Sequence, residues 1–358
     1  MTIIPGYPTD AEQEQRVPVE PLRQWVVDVL CHEKMIRVEA EIAAARLIEA
    51  DLRGIPSHGT RALPRYLEQI REGGIDPRAV ILTERETPAT AVLNGGKGMG
   101  HVASTRGMEL AIAKAGEMGT GTVAVKASQH FGAAAIYATM AAREGMIGYA
   151  TTSTGPATVA AYGSRHPAVA NNALAWAAPT RDGHPVVLDM ACAVSSWGKV
   201  HSMGMYGQEI PEGWAVDADG EPTTSAEASK TLLPAAGPRG YGLAFFSSVL
   251  AGPLVGARMP LHKTWEIATD GSEHFFYAID IKAFVDPDEY YTQINATIAD
   301  IRQLEPAEGF SRVCLPGDLE AERITAWQDE GLPMHLEQVE SLQAVAEQTR
   351  IPGPWSQS

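Results

Sequence analysis

What most limits the fold of this chain is a change of pattern after Pro77. Short β-like runs then alternate with helical stretches, in the order TAVLNG, STRGMELAIAKAGEMG, GTVAVKAS, GAAAIYATMAAREG and MIGYATTS. A helix between two strands must rest its apolar face on their sheet, so the alternation predicts an α/β layer. Further strands are expected in NALAWAAPT, PVVLDMAC and HFFYAIDIKAF, with a long apolar helix, GYGLAFFSSVLAGPLVG, between the last two. Residues 80–285 therefore read as one sheet-containing α/β domain.

The flanks read differently. Residues 1–18 are polar and Pro-containing, an extended arm, and 19–79 are helical. In RVEAEIAAARLIEAD, Val38, Ile42, Ala45 and Ile48 or Glu49 recur at three- and four-residue spacing, which predicts one apolar stripe. Gly54 can supply a left-handed stop. LPRYLEQIREGG sets Leu63, Tyr66, Leu67 and Ile70 on one face. Residues 286–358 return to helices and are expected to pack on the N-terminal ones.

Charge and cysteine usage narrow the partners. A formal charge of −16, from 44 acidic against 28 basic residues, would repel a phosphate backbone, which argues against nucleic acid. Cys31, Cys192 and Cys314 are far apart and form neither a disulfide framework nor a CxxC site, which fits a reducing cytoplasm. No apolar run approaches the roughly 18 residues of a membrane helix.

The motifs are individually weak. GxGxxG is absent, and GGKGMG, Gly95 to Gly100, has the wrong spacing for a dinucleotide loop and reads as a turn. Ser196 to Lys199 matches SxxK by a four-residue coincidence without companion motifs. His58, in SHG after a helix end, and His130, in SQHFG at a strand end, occupy loops on rigid elements. Either is a capped or satisfied core imidazole, or a group that exchanges protons near neutrality. No paired carboxylate motif accompanies them, so no metal site is expected. Asp189, ending an apolar strand, is either a helix cap or a functional carboxylate. Arg239, in a Gly-rich turn before a buried helix, is either a solvated side chain or the cation of a phosphate cradle built from backbone N–H groups.

In order, however, these pieces resemble one family. ADLRGIPSHG, YLEQIREGGIDP, GKGMGHVASTRGMELAIAKA, SQHFGAAAIYATMAAREGMIG, PVVLDMA, PEGWAVDADGEPTT, GPRGYGLA and LPGD follow the sequence of motifs in the malate/L-lactate dehydrogenase-like (sulfolactate dehydrogenase-like) oxidoreductases, from about Val38 to Asp318. The resemblance implies a non-Rossmann NAD(P)-binding sheet domain with a helical subdomain formed by both chain ends. It implies hydride transfer between NADH or NADPH and a small C=O or C=N substrate, in a homodimer. On it, His58 is the proton donor with Ser57 beside it, and His130 is the second acid/base candidate. Thr154 is a substrate-contacting position and Asp189 could orient an imidazole. Leu188, Asp189, Met190, Asn171, Asn172, Arg239, Gly240, Gly317 and Asp318 would line the dinucleotide site.

Departures from the family pattern cluster around the expected pocket. The Arg usual four residues after the SHG histidine is Ala62, with Arg61 beside it and Arg65 further on; both arginines are candidates for a substrate carboxylate. One residue turns a helical side chain by about 100°. The Gly-Thr-Asn-Pro segment is Val169-Ala170-Asn171-Asn172, the Lys of Lys-Gly-Tyr-Gly is Arg239, the Asn of Ser-Asn-His is Gln129, and TDGSEHFF replaces Asn-x-Gly. These changes suggest an atypical substrate such as a cyclic imine or a biosynthetic ketone. The rival readings are a His-assisted hydrolase or lyase without cofactor and a non-catalytic binding protein.

Overall fold

The computed structural model describes residues 7–264, 266 and 270–355. Residues 1–6 of the arm, and Thr269 in the TDGSEHFF departure, lie outside the described residues. The chain starts with strand β1 (Glu14–Val17) and helices α1 (Val19–His32), α2 (Arg37–Leu52) and α3 (Leu63–Arg71). Next come β2 (Leu82–Glu86), β3 (Thr90–Asn94), α4 (Gly100–Met118), β4 (Thr120–Ser128), α5 (Ala134–Arg143) and β5 (Met146–Ser153). Then follow β6 (Val159–Ala160), β7 (Pro167–Val169), β8 (Ala173–Ala178), β9 (Val186–Ala191), α6 (Trp197–Met205), β10 (Ala215–Val216), β11 (Pro222–Thr223), β12 (Thr231–Leu232) and α7 (Pro238–Leu250). The chain closes with β13 (Ser272–Asp280), α8 (Pro287–Arg302), α9 (Asp318–Glu330), β14 (Leu332–His335) and α10 (Leu336–Thr349).

Seven strands form the main sheet in the order β2-β3-β4-β13-β5-β8-β9. β3 and β4 are parallel, joined over the sheet by α4, while β13 runs antiparallel between β4 and β5. The two-residue period of a strand gives the sheet two buried faces. Phe276, Ala278 and Ala150 pack beneath α4 and α5; Phe275, Tyr277 and Tyr149 face the other way, toward a layer that includes Trp214, Leu232 and Ala244. That second layer contains a small five-stranded sheet, β11-β10-β12-β6-β7, together with α6 and α7.

A separate apolar core joins α1, α2 and α3 to β14 and α10, with β1 paired antiparallel to β14. Helix α8 behaves otherwise. None of its residues is buried, and it is tied to the sheet side by Arg181 to Asp288 (2.8 Å) and by the Tyr290 hydroxyl donating to the Pro179 carbonyl (3.3 Å).

Two expected faces need correction. The buried face of α2 is Ala40, Ala43, Ala44, Leu47 and Ile48, whereas Val38 is 53% exposed. Alanines let neighbouring helices approach closely, so the small residues mark the packed side and the branched Val38 faces out. Helix α7 is not buried all round. It packs through Gly240, Ala244, Ser247 and Ser248 and leaves Leu243, Phe245 and Phe246 exposed, Phe246 by 68%. Its apolar composition therefore describes a surface as much as a core. Gly54 does adopt positive φ, +74°, where α2 ends. No helix among the described residues is long and apolar enough to cross a membrane.

Candidate active site

The SHG loop is built on a buried carboxylate. Asp51, in the last turn of α2, accepts hydrogen bonds from both the backbone N–H (2.9 Å) and the hydroxyl (2.7 Å) of Thr60. Gly59 runs so close to it that a Cβ there would lie 1.9 Å from Asp51 Oδ1. The chain thus folds back on α2 directly after His58, and the 3₁₀ turn Pro56–His58 presents the imidazole. Burial pushes the Asp51 carboxyl up to about 7 despite the Thr60 bonds.

His58 Nδ1 lies 2.8 Å from Ser57 Oγ, and Ser57 Oγ lies 2.6 Å from the Tyr7 hydroxyl. Nε2 of His58 has no partner among the described residues, so it is the ring atom left for a substrate. His130 follows β4 in the loop to α5, with its ring centre 5.3 Å from that of His58. Its Nδ1 lies 2.6 Å from the Tyr66 hydroxyl and also receives a long bond, 3.4 Å, from the backbone N–H of Gly132. A backbone N–H can only donate, so Nδ1 is an acceptor and the proton of a neutral His130 sits on Nε2. The two imidazoles are therefore brought together with both Nδ1 atoms anchored and both Nε2 atoms available.

Both rings are neutral at pH 7. Burial lowers His58 to about 4, with the Arg65 and Arg61 cations contributing, and burial holds His130 well below the usual imidazole range, with His58 and Arg65 adding to it. Arg65 is exposed, lies over the Tyr66 ring (5.3 Å to its centre) and has no carboxylate partner among the described residues. Arg61 is committed elsewhere. Its Nη1 donates to Ser202 Oγ (2.7 Å) and its Nη2 to the Gly198 carbonyl (3.0 Å), which fastens α6 to the SHG loop.

The other candidates are mostly framework. Asp189 is paired into β9 and takes a backbone hydrogen bond from Ala135 at the start of α5; burial raises it to about 6, and no hydrogen bond joins it to His58 or His130 among the described residues. Asn171 donates to the Ser195 carbonyl (2.9 Å) and accepts from the Ala193 N–H (2.8 Å). Asn172 is buried and donates to the Ala244 carbonyl (3.0 Å) and to Ser248 Oγ (2.7 Å), while its oxygen meets the Thr154 N–H at 3.4 Å. Asp318 accepts from the Leu315 N–H (2.8 Å) and from Arg302 (3.1 Å), and Gly317 has φ +91° against Val187.

Sequence reasoning treated Tyr66 as core alone and left Tyr7 in an arm without a role. The ring of Tyr66 is core, but its hydroxyl holds His130; helical spacing reports the first and is silent on the second. His101 was also passed over. It is fully buried, neither of its ring nitrogens has a partner among the described residues, and it meets Tyr66 edge-on at 5.3 Å.

A sequence model described as malate/L-lactate dehydrogenase matches residues 17–343. The chain belongs to that family. It is 36% identical to the malate dehydrogenase of Pyrococcus abyssi over 353 residues, covering 96% of this chain and 97% of that one. It is 36% identical to the L-sulfolactate dehydrogenase of Methanothermobacter thermautotrophicus over 343 residues, 94% and 98% of the two chains. The solved malate dehydrogenase of Pyrococcus horikoshii superposes with a TM-score of 0.88 at 33% identity, over 98% of this chain and 100% of that one. The protein is accordingly an NAD(P)-dependent oxidoreductase of the kind expected to act on CH–OH or CH–NH groups, and the named relatives act on CH–OH groups.

The residues present suit such a cofactor in one respect and correct an expectation in another. Arg239 is exposed with no carboxylate partner among the described residues, and Leu188 is 42% exposed on β9 with Met190 half-buried two residues on, a cation and an apolar edge of the kind a dinucleotide needs. The backbone cradle expected at α7 is already used. The Gly240 N–H donates to the Ala235 carbonyl (2.8 Å), and a Cβ on Gly240 would lie 2.3 Å from the Cys192 carbonyl. Gly240 thus serves the tight turn, and the Arg239 side chain is the group left for a phosphate.

Proposed function

We propose that the protein interconverts a small 2-hydroxy acid and its 2-oxo acid, with His58 exchanging the proton and His130 polarising the substrate oxygen. The observation that carries this reading is the pair of neutral imidazoles 5.3 Å apart, each fixed at Nδ1 by a hydroxyl and open at Nε2. NADH or NADPH, when bound, supplies or accepts the hydride. The chain's own residues do the rest. His130 Nε2–H donates to the substrate oxygen and favours negative charge there. His58 Nε2 gives a proton to that oxygen in reduction and takes it in oxidation. Arg65 is the cation free to hold the substrate carboxylate; Leu188, Met190, Arg239 and the Gly317-Asp318 turn are assigned to the dinucleotide, with Asn171, Asn172, Asp189 and Gly240 holding that wall in place.

A second substrate class is supported by one feature. Because Arg61 is turned to Ser202 and Gly198, Arg65 is the one of the two candidate arginines left for a substrate carboxylate. One cation suffices for a cyclic imine carboxylate, whose ring already limits its orientation. We further infer a homodimer, since Leu243, Phe245 and Phe246 on α7 form an exposed apolar face that a second copy would cover.

Titration with NADH and with NADPH tests the first requirement, read as energy transfer from the protein's seven tryptophans to the reduced nicotinamide. Saturable binding of one of them is expected. Turnover is then compared for malate, sulfolactate and a cyclic imine carboxylate. Arg65→Gln should raise KM for each by about 10-fold or more while leaving cofactor affinity unchanged, because a charge-assisted contact is lost. An unchanged KM would remove Arg65 from the carboxylate site.

A further inference from the structure

We propose that Tyr7, from the arm that precedes the family-matched stretch, is a positioning residue that relays protons to His58 through Ser57. The inference rests on the reading of His58 as the acid/base. The family match starts at residue 17, so Tyr7 lies in a part of this chain outside it. The arm nevertheless reaches the centre of the site. Tyr7 Oη is 2.6 Å from Ser57 Oγ, and Ser57 Oγ is 2.8 Å from His58 Nδ1.

The relay is held from two sides. Ser57 is pressed against α6, where a Cβ on Gly198 would lie 2.1 Å from Ser57 Cβ, and Arg61 fastens the same carbonyl, Gly198 O, at 3.0 Å. Tyr7 Oη also lies 3.4 Å from Ser196 Oγ, the N-cap of α6. Tyr7 also lines an open cavity, together with Glu14, Arg61, Tyr206 and His335. The line of hydroxyls thus connects a buried imidazole nitrogen to space that water can occupy.

A relay of this kind answers a need set by the site. A neutral imidazole that gives up its Nε2 proton becomes imidazolate unless Nδ1 gains a proton at the same time. Burial beside Arg65 and Arg61 opposes the other option, a standing imidazolium. In the reductive direction the substrate oxygen forms its O–H bond with the Nε2 proton, and the electron pair stays on the ring. Nδ1 takes the Ser57 hydroxyl proton, Ser57 takes the Tyr7 proton, and Tyr7 is reprotonated from water in the cavity. Oxidation runs the same transfers backward. One proton crosses for each hydride; reduction leaves His58 as its Nδ1–H tautomer, which must exchange back to Nε2–H before the next reductive turnover.

The full chain carrying Tyr7→Phe tests this, because only one hydroxyl is removed. The first readout needs no substrate. In protein labelled with ¹⁵N-histidine, the His58 ring signals, assigned with His58→Asn, should move toward the Nε2–H tautomer in Tyr7→Phe, since Ser57 loses its alternative hydrogen-bond acceptor. The second readout is turnover of the best acid found in the screen above. Tyr7→Phe should lower kcat by about 10-fold with KM unchanged, and a proton inventory in mixed H₂O and D₂O should change from bowed to linear. Unchanged ring signals together with an unchanged inventory and kcat would overturn the relay. If His58→Ala itself keeps turnover, it is the acid/base reading that falls; if His58→Ala is inactive and Tyr7→Phe behaves as wild type, only the relay falls.

Discussion

His58→Ala lowers kcat by about 10²- to 10⁴-fold, the usual worth of a positioned proton donor, and leaves the affinity for NADH or NADPH close to that of the wild type. The separation is expected because His58 sits on the loop after α2, whereas the dinucleotide candidates sit on β9, α7 and the turn before α9. A second readout follows from linkage. The folded protein holds His58 at about 4, below its ordinary 6.5, so from pH 6.5 downward the unfolded chain binds a proton that the folded chain refuses. Stability is therefore lost as pH falls through that window. His58→Ala removes this loss and should become less acid-sensitive than wild type by on the order of 1–2 kcal/mol near pH 4.5, measured by urea unfolding at several pH values; the figure allows for the partial exposure of the ring. Asp51 and Asp189, whose carboxyls burial raises, act with the opposite sign in both proteins and cancel in the comparison. Full turnover in His58→Ala would reject the assigned role.

The strands of the main sheet were legible because each is a short apolar run bounded by turn residues, and such a signal is local. Their order was not. β13 enters between β4 and β5 from more than a hundred residues away, and nothing within HFFYAIDIKAF states which neighbours it will take. The face of α2 was misread for a related reason. Alanine carries almost no side-chain signal, so the larger Val38 dominated the pattern although close helix packing selects the small residues. In the site, SHG and SQH were visible as motifs, but the partners of the two rings were not. Tyr66 belongs to a helix whose spacing assigns it to core, and Tyr7 belongs to an arm with no periodicity at all. Arg61 and Arg65 could be named as cations near the substrate, yet only the position of α6 shows that the first is spent on Ser202 and Gly198.

The glycine of SHG was legible as a residue but not as a requirement, and replacing it should have the largest effect on stability. Gly59 has φ −96°, which any residue can adopt, so backbone freedom is not the reason for it. The reason is space. A Cβ would lie 1.9 Å from Asp51 Oδ1 and 2.3 Å from Asp51 Cγ, far inside contact distance, and the carboxylate cannot swing away without leaving the Thr60 N–H and hydroxyl unpaired in a buried setting. Overpacking and the loss of two buried hydrogen bonds together cost about 3–5 kcal/mol, enough to lower Tm by roughly 4–7 °C in a chain of this size. Because the same loop carries Ser57 and His58, Gly59→Ala should also depress kcat in whatever protein remains folded. Asp51→Ala alone is costly too, since it strands Thr60, but it removes the atoms the new Cβ would strike. Adding Gly59→Ala to Asp51→Ala should then cost at least 1 kcal/mol less than adding it to the wild type, the coupling expected of two groups in direct contact. Strict additivity in that cycle would mean that Asp51 is not what keeps position 59 bare, and the SHG loop would have to owe its turn to some other contact.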